Sequence, residues 1–164
     1  LRPAVIIVVI WQDSKSSDSM RISLGDVVYR APMSEKPHVR VVAAEIEREG
    51  RFLITRRRPE AVLGGLWEFP GGKVEAQETD ELALRRELHE KIGAMVKVRA
   101  LSLHVTHEYE RYTLDLLVYK ADLDEGAEPF AKHVDEVRWV SPADFGDYEF
   151  PGADQQTIDM LLSE

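Results

Sequence analysis

The sequence predicts an α+β domain, a mixed β-sheet sandwiched between helices, preceded by an extra N-terminal β-hairpin. Three observations carry this reading. Most apolar runs are short and rich in β-branched residues. A central stretch from about Thr79 to Ile92 repeats an apolar residue every fourth position, at Leu84, Leu88 and Ile92. A second amphipathic stretch, ADQQTIDMLLSE, closes the chain. Strands first, then a helix in the middle and another at the end, is the pattern of a sheet covered by helices.

The elements follow in order. AVIIVVIW, Ala4 to Trp11, reads as a buried strand. It falls far short of the about 20 apolar residues that span a bilayer. Only Arg2 precedes it among basic residues and no small-residue cleavage site follows, so it does not read as a signal peptide. Gln12 to Ser19 is a polar loop, and MRISLGDVVYR after it is strand-like, so residues 4–30 form a hairpin with a long loop. Pro32 and Pro37 mark a linker, dividing the chain into an N-terminal extension, residues 1–37, and a main domain, residues 38–164. HVRVVAAEIE and RFLITRRR are strands joined at Arg48–Glu49–Gly50, where the glycine supplies the positive φ of a hairpin turn. AVLGGLWEFPGGKVE is too rich in Gly and Pro for regular helix. The central helix stops at Gly93. VKVRALSLHVTHEY and YTLDLLVYKADL are long strands, EVRWV is a short one, and SPADF is a helical turn. The last helix has Asp154 as its N-cap.

Composition narrows the function classes. A length of 164 residues suits one domain with a real core. The net charge of −9 argues against a nucleic-acid polymer as partner, since that binding needs a basic surface. A small anionic substrate bridged by cations stays open. With no cysteine, disulfides, thiolate zinc sites and cysteine nucleophiles are excluded. No membrane segment is expected, since no apolar run is long enough to span a bilayer as a helix, and a cytoplasmic location is expected. Edge pairing of the hairpin offers a route to a homodimer.

The chemistry concentrates in RRELHEKIG, Arg85 to Gly93. Glu87, Glu90 and Lys91 fall within roughly 100° on the helical wheel, beside the leucine stripe. Such a face is either a solvated surface laced with i,i+4 pairs such as Glu87 with Lys91, or a set of carboxylates presented to a cleft, where Mg²⁺ would relieve their repulsion. Pro70, Gly71 and Gly72 just upstream let backbone groups approach a ligand closely.

GKVEAQETDELALRRELHEKIGA, Gly72 to Ala94, resembles a Nudix box: Gly72, Glu78, Arg86, Glu87, Leu88, Glu90 and Gly93 all stand at that family's spacing. The flanking GLWEFPGGKVE is similar to the MutT-like and CTP-pyrophosphohydrolase-like branch. The resemblance covers residues 38–163 and leaves residues 1–33 outside it. It departs at Lys91, where the family pattern has a second consecutive glutamate that usually coordinates metal.

The resemblance implies a Nudix-like fold and Mg²⁺ (or Mn²⁺) held by Glu87 and Glu90 with the carbonyl of Gly71. Arg86 would orient the carboxylates and Glu78 would back it. A further metal-binding acid would come from AKHVDEVRWV, where Glu136 is favoured over His133 and Asp135. Lys73 and Arg57 would contact the phosphates of a small-molecule nucleotide, and Asp154 would read its base. The implied activity is hydrolysis of an ordinary, modified or oxidised nucleoside triphosphate to monophosphate and pyrophosphate, a housecleaning role. Lys91 adds repulsion toward a divalent ion of order 1–4 kcal/mol per unit charge at 4 Å, so weakened metal affinity is expected. That keeps a nucleotide-binding module open as an alternative, and likewise hydrolysis of another nucleoside diphosphate derivative. A Nudix-like recognition domain of a repair glycosylase fits less well, because Glu87 and Glu90 remain and the net charge is unfavourable for DNA.

Overall fold

Two short strands, β1 (Arg21–Leu24) and β2 (Val27–Arg30), pair antiparallel with Leu24 opposite Val27. The strand expected over Met20–Arg30 is therefore two strands folded on each other. The structure is a computed structural model and describes residues 21–24, 27–30 and 36–163. The strand expected at Ala4–Trp11 and the loop after it lie outside those residues. The chain divides into two units, Leu1–Lys36 and Pro37–Glu164, and the second carries all that follows.

Its strands are β3 (His38–Glu45), β4 (Glu47–Arg48), β5 (Arg51–Arg56), β6 (Trp67–Glu68) and β7 (Gly71–Lys73), followed by helix α1 (Asp80–Ile92). Strands β8 (Val96–Glu108), β9 (Thr113–Leu123) and β10 (Glu136–Val140), a 3₁₀ turn over Pro142–Asp147 and helix α2 (Gly152–Ser163) complete it. One sheet has the order β7-β3-β9-β8, in which β3 and β9 run parallel and the other pairs antiparallel. The second has the order β10-β5-β4, with β6 also on β5. The turn between β4 and β5 places Glu49 at φ 53° and Gly50 at φ 73°, the two positive values of a tight hairpin.

Alternation along β3 explains the layering. Val42 and Ala44 point to one face and Ala43 to the other, all buried. The first face packs on Leu84, Leu88 and Ile92 of α1. The second packs on Phe145 of the 3₁₀ turn and on Ile158 and Leu161 of α2. The sheets thus lie between the two helices, as the sequence predicts. Each fully buried leucine or isoleucine of α1 contributes about 1.5–3 kcal/mol, and the stripe fixes which face of α1 is left for chemistry.

Helix α1 begins where expected. The hydroxyl of Thr79 accepts from the Leu82 amide at 3.3 Å, and Asp80 and Glu81 sit in the positive first turn. It ends at Gly93, whose φ of 66° is the left-handed conformation that glycine adopts without a Cβ penalty. A Cβ there would also lie 2.2 Å from the Phe130 ring, which is half exposed and can move aside. Gly93→Ala should therefore cost about 1–2 kcal/mol, mostly backbone strain, read as a lower urea midpoint at unchanged slope. An unshifted midpoint would contradict it.

Candidate active site

Two features of the backbone place the site. β7 runs antiparallel to β3, with Gly71 opposite Ala43 and Gly72 opposite Val42. The PGG turn thereby lies against the charged face of α1. At Gly72 a Cβ would fall 2.1 Å from the Glu87 carboxylate, so the absence of a side chain is what lets that carboxylate rest on the strand. At Gly71 a Cβ would sit 2.0 Å from the Val42 carbonyl oxygen, in the neighbouring strand.

Arg86 holds the acids in place. Its guanidinium donates to both oxygens of Glu78, at 2.8 and 2.9 Å, to Glu87 Oε1 at 2.9 Å and to the Lys73 carbonyl at 2.9 Å. The Arg86 bond, seconded by the amide of Glu75, draws the Glu78 carboxyl down to about 2. Glu90 lies 3.5 Å from Arg86 and is half exposed. Arg86 thus ties Glu78 to Glu87 on this face of the helix.

Lys91 turns inward. Its Nζ donates to the Gly71 carbonyl and stands 3.7 Å from Glu87 Oε2 and 3.8 Å from Glu68 Oε1. The Gly71 carbonyl, expected to face a metal ion, instead accepts from this ammonium. Glu68 comes from β6 and is a site residue that sequence reasoning missed. Its one signal was an acid alone in the apolar run LWEFP. Burial pushes the Glu68 carboxyl up, against the pull of Lys91 and Arg57.

A cavity of about 720 Å³ opens from this cluster toward the first turn of α2. Arg57 and Lys73 line it. Arg57 pairs with Glu68 at 3.2 Å, whereas Arg56 pairs with Asp135 at 2.7 Å and Arg58 donates to the Lys132 carbonyl at 3.2 Å. Only one of the three arginines is thus among the residues lining the cavity.

Asp154 also lines the cavity and is buried. It is not the N-cap, because α2 starts earlier, at Gly152, and Asp154 lies within the first turn. Its own amide donates to the Pro151 carbonyl at 3.0 Å. Burial raises its carboxyl to about 7, with the charge of Glu68 adding to the rise. An amide bond from Phe69 and the nearby Arg57 oppose it. Tyr109 and Tyr112, at the tip of the β8–β9 hairpin, close the cavity wall with their rings stacked 4.7 Å apart. Nothing in the sequence pattern had singled out these tyrosines.

Glu136, expected to join the metal ligands, is not brought to this group. It lies on β10 opposite Arg56, which pairs with it at 3.0 Å, and Arg138 donates to it as well. Both guanidiniums compete for the carboxylate that a metal would need. His133 is exposed, and its amide donates to the Lys91 carbonyl at 3.0 Å.

Among the described residues, no group of three or more carboxylate or imidazole side chains is arranged to hold a metal ion. Glu87 and Glu90, braced by one arginine, nonetheless suit Mg²⁺. That ion is commonly held by one or two carboxylates together with substrate phosphates.

Comparison with known proteins gives the family. Residues 41–160 match the family described as NUDIX domain. An 8-oxo-dGTP diphosphatase of Haemophilus influenzae is 34% identical over 131 residues, spanning 79% of this chain and 96% of its own length. A CTP pyrophosphohydrolase of Escherichia coli is 32% identical over 125 residues, 76% of this chain and 92% of its own. Among solved structures, the MutT protein from Methanosarcina mazei Go1 superposes with a TM-score of 0.71 at 25% identity, covering 79% of this chain and 96% of that one.

Proposed function

Because the chain belongs to the Nudix family of hydrolases, we propose that it is a Mg²⁺-dependent nucleoside triphosphate pyrophosphohydrolase of the cytoplasmic housecleaning kind. It would convert an ordinary or modified triphosphate to the monophosphate and pyrophosphate. The observation that carries the reading is one cavity lined by two chemically distinct sets of groups. Arg57, Lys73 and the braced Glu87 suit a phosphate chain, and the buried Asp154 with the stacked tyrosines suits a base. The named activities of the similar proteins, both on nucleoside triphosphates, support it.

Nudix hydrolases are in general dependent on a divalent metal. Here Glu87 and Glu90 would hold Mg²⁺ or Mn²⁺, which neutralises phosphate charge and lowers the pKa of a water when bound. The chain's own groups do the rest. Arg86 fixes Glu87 Oε1, so that the carboxylate is oriented to accept a proton from the attacking water. Arg57 offers a guanidinium to a phosphate oxygen once it leaves Glu68. Asp154, ionised, accepts from an exocyclic amine such as that of cytosine; protonated, it also donates and suits an oxidised purine.

One observation favours a second reading. Lys91 bonded to Gly71 weakens the metal site, and a catalytically weakened nucleotide-binding module would follow if turnover were lost and binding kept. Pyrophosphate release with Mg²⁺, measured against CTP, dCTP, dGTP and 8-oxo-dGTP, decides between them. Release from at least one nucleotide is expected. Tight binding without release would leave only the binding module, and neither binding nor release would sink both.

A further inference from the structure

We propose that the ammonium of Lys91 is a resident cation, taking the place of a divalent ion at the inner end of the site. Three oxygen donors converge on its Nζ: the Gly71 carbonyl, Glu87 at 3.7 Å and Glu68 at 3.8 Å. A hard divalent cation takes this same kind of donor set. The lysine is held there from several sides. Its carbonyl, at the last turn of α1, accepts from the amides of Lys132 and His133 at 3.1 and 3.0 Å. Its side chain is mostly covered, and so is that of Glu68, which has a second cation, Arg57, on its other oxygen.

Two carboxylates this close repel unless a positive charge lies between them. In this chain that charge is covalently attached, so the inner position needs no metal and repels one. A divalent ion would then be held by Glu87 and Glu90. The inference rests on the triphosphate reading of the cavity only for its role in the reaction. The charge substitution itself is a property of the free protein.

The test is Mn²⁺ binding to the full chain without nucleotide, followed by electron paramagnetic resonance, for the wild type, Lys91→Glu and Lys91→Gln. The wild type should bind Mn²⁺ weakly. Lys91→Glu should bind one ion at least about tenfold tighter, since it exchanges a repelling charge for an attracting one a few Å away. Its Tm should be low in EDTA and rise with Mn²⁺, as ligand linkage requires, while the wild-type Tm stays within about a degree. Lys91→Gln removes the charge without adding a carboxylate, and keeps the test alive if the glutamate variant fails to fold; it should bind Mn²⁺ more tightly than the wild type. Equal Mn²⁺ affinity in the wild type and Lys91→Gln would overturn the proposal, as would a wild-type Tm that rises with Mn²⁺ as steeply as that of Lys91→Glu. Pyrophosphate release is read separately, so a chain that hydrolyses nothing yet shows this metal pattern would sink the hydrolase reading and leave the resident cation standing.

Discussion

Glu87→Gln is expected to lower kcat for pyrophosphate release by about 10²–10⁴-fold, the range for loss of a positioned base, with a much smaller change in KM. The carboxylate is fixed on one oxygen by Arg86 at 2.9 Å and faces the Lys91 ammonium with the other. It lies against Gly72. An amide keeps that shape and can still accept from Arg86, so the fold should survive. What is lost is the negative charge that accepts a proton and that holds a divalent ion. Steady-state kinetics on the nucleotide chosen by the panel, with circular dichroism to check the fold, provides the measurement. A variant with wild-type kcat would remove Glu87 from the chemistry and with it the role assigned to the helix.

Asp154→Asn should change both the choice of base and the dependence of stability on pH. The groups facing Asp154 are Glu68 from β6, Arg57 after β5 and Tyr109 at the end of β8. Its carboxyl is raised to about 7 from an ordinary value of 3.8. Below the unfolded value the group is neutral in both states and costs nothing. Between the two values the folded state holds a proton that the unfolded state has released, so stability falls as pH rises. Above about 7 the full cost is present. Asparagine carries no such cost. The variant should match the wild type near pH 4 and exceed it by ~2–4 kcal/mol at pH 8, an interval set by the size of the shift. Urea unfolding at the two pH values measures it. In parallel, wild-type kcat/KM for a cytosine nucleotide relative to an oxidised purine should rise through about pH 7, and in Asp154→Asn the ratio should be flat. A stability difference independent of pH would mean that Asp154 is ionised throughout.

Local chemistry was legible in the sequence. The limits of α1 follow from a threonine cap, an apolar residue every fourth position and a glycine stop, and all act within a few residues of chain. Gly50 at the β4–β5 turn is local in the same sense, whereas the pairing of Arg86 with Glu78 was implied by the family resemblance alone. The order of the elements, strands first and then a helix in the middle and another at the end, predicted a sheet covered by helices, because each apolar face must be buried against another element.

What only the tertiary structure decided is which distant groups meet. Glu68 enters the site because β6 pairs with β5, a register that no local pattern encodes. Glu136 is drawn away because β10 places it opposite Arg56, 80 residues earlier. Asp154 reads as a cap in the sequence, yet α2 starts before it, which turns its carboxyl into a buried group beside Glu68 and Arg57. Lys91 could be seen to break a pattern of acids, but the direction of its side chain was not encoded in that pattern. That direction was settled by a carbonyl and two carboxylates, two of them arriving from β6 and β7, since a charge largely withdrawn from water is stable only where the fold supplies its partners.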